Sequence, residues 1–315
     1  MKILYLCTEV NLKSGWAVVA YHTIAQALKS KHEVTVLTQL SAQNIILDGA
    51  TYHPWLFDFN TKKTFVSYAN LCRIILLTSR IKFDIVHILV EPYLAYSPLF
   101  LNKKTFLTIH GTYGITFFKS SKWKFLYRLF LLPISRVFSN SEYTRDRFFN
   151  QTKFQPINIA DLGVDTKQFK IKNNIQDRKL VFSFVGQVKH RKGLLTAIKA
   201  IQTLYQKYAD VKLYIVGDCT NSYAQACIKY VNDSFLNNVI FFLGKVSDQD
   251  LADIYNKSIC NILPSINTND GSFEGYGLIH LEANAMGIPT IGSLNTGNES
   301  AIIDGVTGYL AEQEN

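Results

Sequence analysis

The chain lacks the features that mark several protein classes. Its 315 residues hold five cysteines (Cys7, Cys72, Cys219, Cys227, Cys260), an odd number, scattered, with no Cys-x-x-Cys pair. That spacing argues against a disulfide framework and against a zinc site, and it fits a reducing compartment. No G-x-G-x-x-G fingerprint follows the first strand-like run, which removes the best evidence for a dinucleotide dehydrogenase. No bilayer-spanning run is present: the segment 117–133 is too short and carries four charges. The opening ILYLC is too short for a signal peptide, so a cytoplasmic location is expected. Sequons such as Asn150-Gln151-Thr152 are then chance matches.

What is present is a globular composition, 48% hydrophobic and 18% charged, in a chain long enough for two domains with substantial cores. Charge is uneven. Residues 1–170 carry 21 Lys+Arg against 10 Asp+Glu, a net of +11, and residues 171–315 carry 12 against 14, a net of −2. A basic half beside a near-neutral one suggests that the first half faces an anionic partner.

The order of elements announces a parallel α/β sheet in each half. Strand-like runs at Lys2–Cys7, Glu33–Thr38, Asp84–Ile88, Thr105–Ile109 and Val137–Ser139 alternate with helical patterns such as Trp16–Leu28. Gly15 ends the turn-rich loop after the first strand; it either brings backbone N–H groups to a phosphate or simply turns the chain. His110 and Gly111 follow a strand directly, at the carboxyl end where open α/β sheets bind ligands. His110 is therefore a candidate to hydrogen-bond a substrate hydroxyl, with a structural histidine as the competing reading. His87, inside its strand, reads as a packing residue.

Two helical segments of the first half combine apolar and basic residues. Residues 117–133 (FFKSSKWKFLYRLFLLP) interleave Lys119, Lys122, Lys124 and Arg128 with Trp123, Phe125, Tyr127 and Phe130. Such a helix suits an anionic membrane surface, or a sheet on which its aromatics pack. Nucleic acid is not expected as a partner, since this segment is its only support. Leu71–Ile81 reads as a core-facing helix. Domains 1–168 and 169–315 are expected, joined through a polar stretch that runs to Asp177.

The second half offers strands at Leu180–Val185, Val211–Val216, Val239–Leu243, Ile259–Leu263 and Pro289–Gly292. Gly186 opens the loop GQVKHRKG, where Lys189, Arg191 and Lys192 cluster between a strand end and a helix. A diphosphate there would find both charge and N–H donors; a solvated charge run is the alternative. The stretch Asp270–Asp304 then sets Glu274 and Glu282 eight residues apart around Gly275-Tyr276-Gly277. Two glycines so close favour a helix that starts after Gly277. Glu274 then lies in the preceding loop and Glu282 on the first turns, with the N–H groups of Gly277 and Leu278 between them. That arrangement holds an anion and grips hydroxyls, as a sugar joined to a phosphate requires. Taken alone, the pair is more simply a helix-surface charge beside a turn.

Together these residues resemble a known family. Glu274-Gly275-Tyr276-Gly277-Leu278 to Glu282-Ala283 is similar to the E-G-[FY]-G-L-x-x-x-E-A context of the retaining, metal-independent GT-B glycosyltransferases of family 4 (glycosyl transferases group 1). Gly287-Ile288-Pro289-Thr290-Ile291, Thr307-Gly308-Tyr309-Leu310, Phe184-Val185-Gly186 to Lys192-Gly193, and Pro264-Ser265 extend the likeness. In the first half it continues through Gly15, His110-Gly111, Ser139 to Glu142, and Gly163-Val164-Asp165.

The resemblance implies a GT-B fold, two Rossmann-like parallel-sheet domains facing across a cleft, from which the chain ending at Asn315 lacks the last helices. It implies that Glu274 and His110 contact the donor sugar and Glu282 the nucleotide ribose. Lys192 would bind the diphosphate with N–H groups of Gly277, Leu278 and Gly15. The family pattern has an arginine where this chain has Gln187, so Arg191 or Lys189 is expected to supply that charge. No cofactor and no metal are implied, and the nucleotide sugar is a co-substrate. A phosphate oxygen would take the acceptor's proton, and the acceptor would be a lipid-linked or polysaccharide glycan. A sugar-nucleotide epimerase of the same architecture, or a catalytically silent binding protein, stay as alternatives.

Overall fold

All strand pairings among the described residues are parallel, in two separate sheets. The computed structural model describes residues 1–58, 68–116, 121–171 and 178–314. It divides into two units, Met1–Asp161 and Leu162–Asn315. Residues 117–120 of the basic aromatic segment, and 172–177 of the expected polar junction, lie outside the described residues.

The first unit runs β1 (Lys2–Leu6), α1 (Gly15–Lys29), β2 (Glu33–Gln39), β3 (Ala50–Leu56), α2 (Tyr68–Arg80), β4 (Ile85–Ile88), a 3-10 segment Glu91–Phe100, β5 (Thr105–Ile109), α3 (Tyr113–Thr116), α4 (Ser121–Leu131), β6 (Ile134–Ser139), α5 (Glu142–Thr152) and β7 (Ile157–Ile159). Its sheet order is β3-β2-β1-β4-β5-β6-β7. The order reverses between β1 and β4, and ligands of open parallel sheets bind beyond the carboxyl ends of strands at such a reversal. Ser14 starts α1 by accepting a hydrogen bond from the Ala17 N–H, and Ser141 starts α5 in the same way through the Thr144 N–H.

The second unit runs β8 (Val181–Val185), α6 (Leu194–Tyr205), β9 (Lys212–Val216), α7 (Ser222–Asp233), β10 (Ile240–Gly244), α8 (Asp248–Lys257), β11 (Cys260–Ile262), α9 (Leu278–Ala285), β12 (Thr290–Ser293) and β13 (Gly308–Ala311). Its order, β10-β9-β8-β11-β12-β13, reverses between β8 and β11. All five residues of β8 are buried, as a strand covered on both faces requires, and Phe184, Leu213, Ile215 and Ile262 join α6 and α7 in one core.

Two elements depart from expectation. α2 buries only Asn70 and Ile74, leaving Ile75 and Leu76 exposed, so it is not the core-facing helix its apolar content suggests. α4 divides its apolar residues between two faces: Tyr127 and Leu131 are buried, while Phe125, Leu129 and the following Leu132 are exposed. Those exposed positions, with exposed Arg128, recur at the spacing of one helix stripe.

Candidate functional site

The second unit assembles a polar cluster at the β8/β11 reversal. After β8 the chain leaves through Gly186 into a short 3-10 turn, His190–Lys192, that carries the basic residues. Gly193 ends the turn with φ +69°, and a Cβ there would lie 1.9 Å from the Pro264 carbonyl oxygen. Only glycine permits both the left-handed backbone and that approach. Arg191 O also accepts from Ile266 N at 2.8 Å, so the basic turn is sewn to the segment that follows β11.

That seam puts three predicted residues together. Arg191 Nη1 donates to Glu274 Oε2 at 2.9 Å, Lys192 Nζ forms an ion pair with the same oxygen, and Ser265 Oγ lies 3.5 Å away. Oε1 of Glu274 has no hydrogen-bond partner among the described residues. Glu274 is buried, and burial alone would raise its carboxyl; Lys192 and Arg191 outweigh this and hold it down at about 2. The result is a fixed carboxylate with one oxygen spent on cations and the other available to a hydroxyl.

Beside it, Gly277 caps α9 with φ +90°. A Cβ at Gly277 would meet His280 Cδ2 at 2.7 Å and Asn298 Nδ2 at 2.8 Å. Asn298 is itself fixed, donating to Tyr276 O and accepting from Ser293 N. The N–H groups of Gly277 and Leu278 find no acceptor among the described residues, as the first donors of a helix do until a ligand or water supplies one. An anion meets both those donors and the helix dipole. His280, below this turn, is fully buried with neither ring nitrogen bonded, and burial holds its imidazole down at about 3.

Glu282 lies in the middle of α9 and turns to a different partner. Its Oε2 accepts from the Tyr255 hydroxyl of α8 at 3.2 Å, and burial pushes the carboxyl up to about 7. Gln187 and Lys189 are exposed, outside the cation–carboxylate cluster. Of the two residues expected to replace the missing arginine, only Arg191 is on Glu274.

In the first unit, the β1/β4 reversal gathers Gly15 and His110. Gly15 opens α1 with open space around its Cα, and the next residue, Trp16, lies 6.5 Å ring to ring from His110 and 5.0 Å from Tyr113. His110 N and Gly111 N both donate to Glu91 Oε1, at 2.5 and 3.2 Å. Asn140 Nδ2 donates to His110 O at 3.0 Å, and His110 Nε2 lies 2.8 Å from Leu89 O. His87 is half-buried in β4, its Nε2 2.8 Å from Thr108 Oγ1, and serves packing against Tyr5, Phe106 and Phe138.

Sequence reasoning missed Glu91, Asn140, Tyr255 and His280. A signal for the first was present: Glu91 is the lone charge in the apolar run Ile85 to Phe100, immediately past a strand's carboxyl end.

Two parallel α/β units, each with a polar cluster at its strand reversal, define the GT-B class of glycosyltransferase fold. Residues 14–168 match the family model Glycosyltransferase Family 4 and residues 165–315 match Glycosyl transferases group 1, so that the two matches together place nearly the whole chain in these glycosyltransferase families. It is 25% identical over 185 residues to an amylovoran biosynthesis glycosyltransferase of Erwinia amylovora, covering 58% of this chain and 44% of that protein. The chain thus spans less than half the length of that relative. Among solved structures it resembles sucrose-phosphate synthase of Thermosynechococcus elongatus, with a TM-score of 0.76, 16% identity and coverage of 100% and 86%. It also resembles Anabaena HepE in complex with UDP and glucose, with a TM-score of 0.74, 16% identity and coverage of 100% and 86%.

Proposed function

We propose that the protein transfers a sugar from a nucleotide-diphosphate-sugar donor to a lipid-linked or polysaccharide acceptor with retention of anomeric configuration. The observation that carries this reading is the Glu274–Lys192–Arg191 cluster beside the open N-terminus of α9. Lys192, Arg191 and the Gly277 and Leu278 N–H groups suit a diphosphate; Glu274 Oε1 suits a sugar hydroxyl; Glu282, on the same helix, suits the ribose. The complex of the similar Anabaena protein with UDP and glucose supports a donor of this chemical class. Within the first unit, His110 offers a group suited to a sugar hydroxyl, and the start of α1 at Gly15 offers N–H groups suited to a phosphate. In this reading no side chain need take the acceptor's proton; a phosphate oxygen of the leaving group does, and the protein supplies position and charge.

The acceptor class is supported by the capsular polysaccharide biosynthesis named in a Staphylococcus aureus relative and by α4, whose stripe of Phe125, Leu129 and Leu132 flanks Arg128. Such a stripe suits the surface of an anionic membrane at which lipid-linked glycans reside. No helix among the described residues is long and apolar enough to cross a membrane.

The test is a panel of sugar nucleotides against the full chain. A cognate donor at 100 times its Kd stabilises the fold by about 2.7 kcal/mol and raises Tm. Turnover follows as nucleotide diphosphate release, and proton NMR of the new linkage reads its anomeric configuration. A panel without any binder overturns the donor assignment; an inverted linkage overturns the retaining mechanism alone.

A further inference from the structure

His110 is held from every side by polar groups that no motif marks. Its N–H and that of Gly111 converge on a single oxygen, Glu91 Oε1, at 2.5 and 3.2 Å. Its carbonyl accepts from Asn140 Nδ2 at 3.0 Å. Its Nε2 sits 2.8 Å from Leu89 O, and a carbonyl only accepts, so Nε2 carries the proton. Nδ1 is left as a lone-pair acceptor without a partner among the described residues.

The gripping groups are themselves locked in place. Glu91 is 1% exposed, follows β4, and its carbonyl accepts from the Tyr127 hydroxyl of α4 at 3.3 Å. Asn140 is 4% exposed, and its N–H reaches back to Ile109 O on β5 at 3.4 Å. Each leaves one buried oxygen unbonded, Glu91 Oε2 and Asn140 Oδ1. A buried acceptor without a donor costs stability, so these residues are not explained by stabilisation of the fold alone. Burial also pushes the Glu91 carboxyl up, against the pull of His110 and the N–H groups it accepts.

We infer that Glu91 and Asn140 are positioning residues for His110. They clamp its backbone from the amide side and the carbonyl side, and the Leu89 carbonyl selects the tautomer. The imidazole then offers Nδ1 as a fixed acceptor for a donor-sugar hydroxyl. The inference rests on the role proposed above for His110, and extends it to two residues that touch no substrate.

The test uses the full chain with its cognate donor. Glu91→Leu and Asn140→Ala are expected to lower kcat by about tenfold or more while donor KM moves less than about twofold. Glu91→Gln, whose amide oxygen still accepts both N–H groups, should stay within about threefold of wild type. In a His110→Ala background, Glu91→Leu should add nothing. Nitrogen-15 NMR of the histidine rings should report an Nε2–H tautomer for His110, mixed in Glu91→Leu. A folded Glu91→Leu protein with wild-type kcat and an unchanged His110 signal overturns the clamp. So does a further loss of rate in the His110→Ala background, or an Nδ1–H tautomer in the wild type. If Glu91→Leu does not fold, Asn140→Ala and the wild-type tautomer decide. If His110→Ala leaves kcat unchanged, the role of His110 in the reaction fails, and the tautomer shift alone decides the clamp.

Discussion

Arg191 Nη1 lies 2.9 Å from Oε2 of Glu274, 83 residues further along the chain. The contact exists because Gly193 lets the basic turn close on Pro264. It makes Arg191 the residue we propose to supply the charge that Gln187 cannot. Arg191→Ala should weaken nucleotide diphosphate binding about tenfold, the worth of one charge-assisted hydrogen bond. Gln187→Ala, at an exposed position, should change it less than about twofold. Calorimetry with the free diphosphate separates the two. Equal effects, or none from Arg191→Ala, would mean that Lys192 carries the phosphate charge without help.

Glu274 and Glu282 should leave opposite marks on stability against pH. Glu274 is held at about 2 when folded, against an ordinary 4.5. Between those values the unfolded chain binds more protons, so its stabilising contribution is complete above pH 4.5 and is lost as pH falls toward 2. Glu282 is raised to about 7. Between 4.5 and 7 the folded state binds more protons, so its contribution is complete below pH 4.5 and is lost as pH rises toward 7. Thermal unfolding across this range should show Glu282→Gln flattening the decline between pH 4.5 and 7, and Glu274→Gln removing the one below pH 4.5. A Glu282→Gln curve parallel to wild type from 4.5 to 7 would refute the assignment for that carboxyl.

The parts of the fold that were legible in the sequence are those written by burial on both faces. The apolar runs of β1, β2, β5, β8 and β9 read as strands because parallel strands under helices have no polar side to show. The edge strands of the first sheet were not legible, whereas β10, an edge of the second sheet, was read at Val239–Leu243. β3 contains Pro54, which interrupts its pattern and is tolerated only because it lies at the sheet edge, and β7 is three residues long. In the site, the turn of Gly277 and the start of α9 were readable from glycine chemistry, as was the clustering of basic residues after β8. Which cation reaches Glu274 was not, because Arg191, Lys192 and Lys189 differ in direction and not in sequence neighbourhood. Glu91 and Asn140 act through pairings between separate strand ends, which no local pattern records.

The exposed stripe of α4 predicts a surface property separable from stability. Phe125 is 70% exposed and Leu132 72%, so replacing both by aspartate removes little packing. Sedimentation with anionic phospholipid vesicles should fall by about fivefold or more in the double variant, with Tm nearly unchanged. Wild-type binding that ignores vesicle charge, or that the variant retains, would assign the stripe to another partner.

Lys192→Ala tests how the buried carboxylate of Glu274 is balanced. Glu274 and Lys192 are 10% and 12% exposed in their side chains, so loss of the lysine leaves a nearly dry carboxylate with Arg191 alone. Removing one partner of a buried ion pair costs about 3–5 kcal/mol when nothing replaces it, and the remaining guanidinium should hold the loss near the lower end. Glu274→Gln in the same background should restore part of it, because the charge that needed a partner is gone. Gly277→Ala is the complementary case, in which backbone rather than charge is at stake. Its φ of +90° and the His280 contact at 2.7 Å leave no room for a methyl group, so the turn must open. The expected cost is about 1–3 kcal/mol, with donor binding lost as the Gly277 and Leu278 N–H groups turn away. A Gly277→Ala protein that keeps both its unfolding temperature and its diphosphate affinity would show that the start of α9 is not what holds the anion.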